Sequence, residues 1–289
     1  MIALLASIVL APLLPGTIQT LKAFAQGRRG ASPLQPYRTL RRLWGKSAVD
    51  PEGTTAVYRV APALTAVCLL AALALLPDAG VGLGHDAFVL IGLLALARFA
   101  VAAAAWDTGN GFALMGAARD LALAVFAEAL LVLALLLAAQ PAHTTDLAAM
   151  SAAAAGIDVW REPSHWCALL AFALVVVAET GRQPVDNPDT HLELTMIHEG
   201  PLLEYAGRDL AYLQWAAAAR HWVVLVLAAQ LALPHGTSSL LTLAPALLGL
   251  CVVLAAVETT QAKMRILRVP ALLGLGALVA LVGVGAWPA

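Results

Sequence analysis

The chain has 289 residues, 61 % of them hydrophobic and 12 % charged, with a mean hydropathy of +0.83. A soluble domain is about 45–50 % apolar, so this composition excludes one and indicates an integral membrane protein. The formal net charge of −1 conceals a strong separation of charge along the chain.

A helix needs about 20 apolar residues to cross the hydrocarbon core. The first such span is expected near 2–21; it has no positive charge before Lys22 and runs through Pro12 and Pro15, so it reads as a retained anchor, not a cleaved signal. The loop 22–55 opens with Gly27-Arg-Arg-Gly-Ala-Ser-Pro33, which has turn chemistry, and continues with Leu34, Tyr37, Leu40, Leu43 and Trp44 at helical spacing. Arg38, Arg41, Arg42 and Lys46 fall between them, as in an amphipathic helix lying on the membrane surface, where it could hold a peripheral partner or bind anionic lipid. Gly45-Lys46-Ser47 is no phosphate loop, because Leu40 stands where the required glycine would be.

Spans follow near 56–77 and 86–106, joined by Gly80-Val-Gly-Leu-Gly84, a turn that lacks the dinucleotide spacing. A fourth is expected near 117–140. The Ala-rich connection 141–163 carries Asp146, Asp158, Arg161 and Glu162 and has room for a short surface helix. The remaining spans are expected near 164–180, 217–234, 239–258 and 269–287, with loops at 181–216 and 259–268. The predicted fold is all-α: a single polytopic membrane domain over 1–289, with about eight transmembrane helices, an amphipathic surface helix and a large charged cytoplasmic loop.

Lys and Arg concentrate in the odd-numbered loops. Lys22, Arg28, Arg29, Arg38, Arg41, Arg42 and Lys46 lie in the first, Arg182 and Arg208 in the fifth, and Lys263, Arg265 and Arg268 in the seventh. Arg59, Arg119 and Arg220 are expected at helix ends facing the same side, and only Arg161 falls in an even-numbered loop. Short basic loops stay in the cytoplasm, so both termini are expected outside a cell (inner) membrane. Cys68, Cys167 and Cys251 each sit in an apolar span without C-x-x-C spacing, so no cofactor is expected in this chain. No internal repeat is visible, and no nucleic-acid partner is expected.

Between Glu179 and Asp209 the chain gathers seven carboxylates, two arginines and two histidines. A plain solvated loop would not interleave Met196, Ile197, Leu202 and Leu203 with these charges. Ionised groups beside membrane helices must be paired, hydrated or used to move charge, because desolvating each costs several kcal/mol. Pro188 suits a first helical position and Thr190-His-Leu-Glu193 has capping-box spacing, so a helix is expected to begin there, with a break or kink at Gly200-Pro201. Glu193 and Glu204 would share a face only if that helix ran unbroken; Glu204 and Arg208 have the order of a simple i, i+4 pair. Crowded carboxylates raise one another's proton affinity. His191 and His198 are candidates either for proton relay or for structural hydrogen bonding. Neither shows metal-site spacing.

Glu128 lies inside the fourth span, and an intramembrane carboxylate is by default a functional candidate. Arg98 in the third span, Glu179 closing the fifth and Glu258 closing the seventh are candidates to pair with it or extend a path; Glu179 and Glu258 could equally reach cytoplasmic water. Arg119-Asp120 reads as an interface anchor.

Glu179-Thr-Gly-Arg-Gln-Pro-Val-Asp-Asn-Pro188, with Leu192-Glu-Leu through Glu204-Tyr-Ala-Gly207, resembles the signature loop of respiratory complex I subunit 1. It is more similar still to the corresponding membrane subunit of group 4 NiFe hydrogenases, including formate hydrogenlyase. Gln26 to Arg38, Gly116-Ala-Ala-Arg-Asp120 leading to Glu128, and Val257 to Arg265 agree in the same order along the chain. The resemblance implies a subunit at the junction between a membrane arm and a soluble redox arm, coupling electron transfer to proton or sodium movement. It implies hydrogenase large and small (iron–sulfur) subunits on the cytoplasmic side, antiporter-like membrane neighbours, and a NiFe centre and iron–sulfur clusters held by those partners. By matching position, Glu179, Arg182, Asp186, Glu193 and Glu204 would form the junction, with Glu128 leading inward. Arg28, Arg29, Arg38, Arg41, Arg182 and Arg208 would face the partner arm. Val185 after Pro184, Asp189 and His191 in places where the quinone-using branch has Glu, and about three extra residues before Glu204 favour the hydrogenase branch. The alternatives are the quinone-site subunit of a respiratory NADH dehydrogenase, a stand-alone secondary ion transporter and a purely structural anchor.

Overall fold

The computed structural model describes residues 2–79, 81, 84–156, 158–186, 197–232 and 240–286. The described residues form helices α1 (Ile2–Leu10), α2 (Leu13–Ala25), α3 (Gln35–Trp44), α4 (Ala56–Ala74), α5 (Ala87–Asp107), α6 (Gly111–Ala139), α7 (Leu147–Ala154), α8 (Pro163–Glu179), α9 (Gly207–Ala232), α10 (Leu240–Thr260) and α11 (Val269–Ala286), without a strand among them. Six of these, α4, α5, α6, α9, α10 and α11, are long and apolar enough to cross a membrane; α8 is apolar but has 17 residues.

The starts of several helices follow from capping residues. Thr55, Asp86, Asn110 and Asp146 each accept a first-turn backbone N–H with their side chains, opening α4, α5, α6 and α7. The expected first span is instead a bent pair, α1 and α2, turned by 42°. Pro12 causes the break: it has no N–H to donate, and its ring crowds the preceding turn. α6 and α9 begin earlier than hydropathy indicates, at Gly111 and Gly207. The last ten residues of the expected loop 181–216 are therefore helical, and Arg220 lies well inside α9, not at a helix end.

Lipid tails are as apolar as the helices they bathe, so association inside a membrane rests on close packing and small residues. α5 and α6 meet accordingly through Ala102, Ala105, Ala113 and Ala117. α9 is the central helix: 78 % of its apolar window is buried, against 28 % for the window over α11. α3 packs on α2 and α9, burying Leu43, setting Trp44 edge-on to Tyr212 and donating the Tyr37 hydroxyl to the Val9 carbonyl at 2.6 Å. Its basic residues, with Arg28 and Arg29, are exposed. The connections bearing α3, the α5–α6 turn, the α8–α9 segment and the stretch after α10 gather at one end of the bundle: Thr55 bonds Asp107, Asn110 bonds Glu204 and Met264 bonds Pro184. At the opposite end, α7 is the short helix expected within 141–163; it buries Leu147, Met150 and Ala154 and is held to the α5 entry by Leu147 N–H to His85 O at 2.8 Å.

Candidate functional site: two buried ion networks beneath the α8–α9 segment

Arg98, 7 % exposed on α5, is the hub of the first network. Its guanidinium donates to Glu128 Oε1 of α6 at 2.8 Å and to both oxygens of Glu179 at the end of α8, at 3.0 and 2.9 Å. Its Nε lies 3.8 Å from Asp120 Oδ2. Arg220 of α9 donates to Glu179 Oε2 at 2.7 Å and to the Leu94 carbonyl at 2.7 Å. Four helices thus contribute to one cluster. Glu179 is only 2 % exposed, so the reading in which it simply reaches water is corrected. Asp120 is corrected too: it is buried in the cluster and is not an interface anchor.

The second network lies towards α10. Arg182, just past α8, donates to Glu258 Oε1 at 2.9 Å, and Lys22 at the end of α2 lies 3.3 Å from Glu258 Oε2. Glu258 is 3 % exposed and likewise does not reach water. Lys263 donates to Asp186 Oδ1 at 2.7 Å. Among the described residues, the first network sets two cations against three carboxylates, while the second pairs Arg182 and Lys22 with Glu258 and Lys263 with Asp186.

His198 stands between them. Its Nδ1 is 3.1 Å from Asp186 Oδ2 and its Nε2 is 3.6 Å from Asp120 Oδ1. Burial disfavours the charged imidazole, but the Asp186 hydrogen bond and the charges of Asp120 and Asp186 outweigh it and hold the pKa above its ordinary value. Gly181 makes this position available: at φ +59° it occupies the left-handed region, and a Cβ there would lie 2.8 Å from His198 Nδ1.

The stretch leading into α9 is anchored by different chemistry. The Tyr205 ring stacks on Tyr58 of α4 with centroids 4.3 Å apart and planes at 4°. The Tyr58 hydroxyl donates to the Glu204 carbonyl and the Tyr205 hydroxyl to the Tyr58 carbonyl, both at 2.9 Å. Gly207, at φ +56°, lies so close to the chain after α3 that a Cβ would stand 2.1 Å from Ser47 O. Glu204 bonds Asn110, so its side chain belongs to this mooring and not to the Arg98 cluster, and the proposed simple pairing with Arg208 gives way to that bond. Arg208 is exposed at the start of α9. Glu193, His191 and the expected helix start near Pro188 lie outside the described residues.

A cavity of about 760 Å³ reaches from Pro15 of α2 and Gln35 of α3 to Arg98, Glu179 and His198, so both networks border one space. His221 also faces it, 6 % exposed with an unpartnered Nε2. Sequence reasoning missed Asp120, Arg220, His221 and the pairing roles of Lys22 and Lys263. The available signal was polarity at positions internal to α6 and α9; the long-range pairings had none.

The profile of the family described as NADH dehydrogenase matches residues 1–284. The chain belongs to this family, that of complex I subunit 1. Formate hydrogenlyase subunit 4 of Escherichia coli (strain K12) is 31 % identical over 280 residues, covering 89 % of this chain and 87 % of that protein. Hydrogenase-4 component C of the same strain is 35 % identical over 255 residues, covering 86 % and 78 %. An NADH-quinone oxidoreductase subunit from Chlorobium luteolum (strain DSM 273 / BCRC 81028 / 2530) is 29 % identical over 208 residues, covering 66 % of this chain and 55 % of that protein. The resemblance to the hydrogenase-type members is borne out, with the quinone-linked members more distant. A chain of the membrane-bound sulfane sulfur reductase, an archaeal respiratory membrane complex, superimposes with a TM-score of 0.84 at 19 % identity, covering 98 % of this chain and 97 % of that one, which confirms the all-helical membrane fold.

Proposed function

We propose that this chain is the membrane-anchoring and ion-translocation-coupling subunit of a membrane-bound NiFe hydrogenase or formate hydrogenlyase-like complex, linking electron transfer in a peripheral arm to proton or sodium movement. The observation that carries the reading is the buried Arg98–Glu128–Glu179–Arg220 cluster, which extends from the end of α8 to a glutamate inside α6. Buried ion pairs often add little stability compared with apolar packing, so a cluster of this size has a better rationale in charge movement than in holding helices together.

The end bearing the α8–α9 segment faces the cytoplasm in this reading, because most Lys and Arg outside the helices lie there. Exposed Arg28, Arg29, Arg38, Arg41 and Arg208 receive the partner arm, whose large and small subunits hold the nickel–iron centre and iron–sulfur clusters. Arg182 instead is buried against Glu258 and supports the junction from within. A unit charge arriving in the arm about 12 Å from a carboxylate is worth about 1.4 kcal/mol at an effective dielectric near 20, roughly one pKa unit. That suffices to change proton occupancy in a cluster whose charges do not balance. Glu128, with 29 % of its side chain exposed, is the point from which charge passes to antiporter-like neighbours in the cell (inner) membrane.

One observation favours the second reading, a quinone-site subunit of a respiratory NADH dehydrogenase: the cavity is large enough for an apolar ligand and ends at the ion cluster. Purification of the assembly in mild detergent separates the two. Nickel, iron and hydrogen evolution insensitive to quinone-site inhibitors are expected; a nickel-free complex that reduces quinone would overturn the proposal.

A further inference from the structure

His198 stands between Asp186 and Asp120, borders the shared cavity with 32 % of its side chain exposed, and is seated on a glycine that leaves no room for a larger residue. We infer that His198 is the proton-loading site of the Asp120–Glu128 network, taking protons from cavity water and passing them to Asp120. This rests on the ion-coupling reading above and specifies where the ion enters.

The step balances simply. The charged imidazole holds Nδ1–H against Asp186 and Nε2–H towards Asp120. Transfer breaks the Nε2–H bond and forms an O–H bond on Asp120, leaving a neutral imidazole still donating from Nδ1 to Asp186. No group is oxidised or reduced. Protonated Asp120 removes the surplus negative charge of its network, and Nε2 regains an excess proton (hydronium) relayed from bulk through water in the cavity, so no hydroxide is left behind; the cavity has room for many molecules at about 30 Å³ each. At 3.6 Å the Nε2–Asp120 separation is slightly longer than a hydrogen bond, so a small ring movement makes or breaks the transfer contact. Among the described residues, the ionisable groups facing the imidazole are Asp120 on α6, Asp186 after α8 and Arg98 on α5, with His221 on α9 nearby and Lys263, after α10, behind Asp186. The two carboxylates favour the charged ring and Arg98 opposes it. Asp186 is already held by Lys263, which suits it to orient His198; Asp120, which among the described residues has no Lys or Arg closer than Arg98 at 3.8 Å, is the better acceptor.

The test uses the assembled complex in proteoliposomes, reading ions moved per hydrogen evolved across about pH 5.5 to 8.5, the range in which histidine titrates. His198→Gln should lower that ratio about tenfold and abolish its pH dependence, the order expected for losing a positioned proton carrier. His198→Gly should be restored by added imidazole, which a merely structural pin would not require for proton passage. An unchanged ratio and pH profile in His198→Gln would overturn the inference. If the wild-type complex moves no ions, the coupling reading itself fails. The site is then tested by NMR titration of histidine-labelled full-length protein in nanodiscs, where Asp120→Asn must lower the His198 pKa; no change there overturns the loading site.

Discussion

Glu179→Gln is the sharpest perturbation of the buried cluster. The carboxylate accepts two bonds from Arg98 and one from Arg220, and it is 2 % exposed. Glutamine keeps the shape but removes the charge, and its amide group must stand against one of two guanidiniums. Removing one partner of a buried, hydrogen-bonded pair costs about 3–5 kcal/mol because the remaining charge is left uncompensated. A chain of this size loses about 2–4 °C of Tm per kcal/mol, so a fall of about 10 °C is expected. The protein contains its own reporters: Cys68 and Cys251 are 3 % and 0 % exposed, so a thiol-reactive fluorophore labels them only as the bundle opens on heating in detergent. Glu128→Gln is the internal control. That side chain is 29 % exposed and makes one bond to Arg98, so about 1–2 kcal/mol and a fall of about 2–8 °C are expected. Equal falls for the two variants, or none for Glu179→Gln, would refute the view that Glu179 is the principal counter-charge.

The raised His198 pKa stabilises the docked segment from 197 onwards fully below about pH 6.5, and that contribution is lost as pH rises through the raised folded-state value; hydrogen-exchange protection factors of residues 197–206, corrected for the intrinsic pH dependence of exchange, should fall across that interval in the native protein and stay flat in His198→Gln. Gly181→Ala should cost about 1–2 kcal/mol from the left-handed backbone alone and should also displace the imidazole, so restoring Tm by second-site changes would not restore the His198 titration. Tyr205→Phe keeps the stacking and loses one hydrogen bond, for about 1 kcal/mol. Tyr205→Ala also empties a buried site and should cost about 3–5 kcal/mol; equal Tm values for these two variants would show that the ring stack contributes nothing.

The helices were legible wherever an uninterrupted apolar run reached the length of a span, as in α4, α5 and α10. The start of α9 was not, because Arg208, Asp209, Gln214 and Arg220 depress hydropathy across a segment that the fold accommodates by giving Arg220 a buried carboxylate. Asp120 was misread for a related reason. With the helix expected to start near 117, it looks like a rim residue; the actual start at Gly111 carries it more than two turns inside. Arg98, Glu128 and Glu179 were legible as a group because ionisable residues inside spans demand partners. Lys22 and Lys263 entered the sequence reading only as markers of sidedness. Their pairing with Glu258 and Asp186 joins chain segments far apart in sequence, and one sequence holds no trace of that. The role of Gly181 becomes visible only when an imidazole seventeen positions later lies against its Cα.

The segment from 197 to Gly207 is held at its two ends by unlike means. Near 198 the fastening is ionic and changes with a single proton; at Tyr205 it is a neutral ring stack with crossed hydroxyl bonds. Loss of the proton therefore weakens the ionic contact at one end, where the buried Ile197 and the packing of Gly200 on Gly116 remain, and leaves the ring stack at the other untouched. Raised ionic strength screens charge but leaves aromatic stacking in place, and so should not cast the segment adrift.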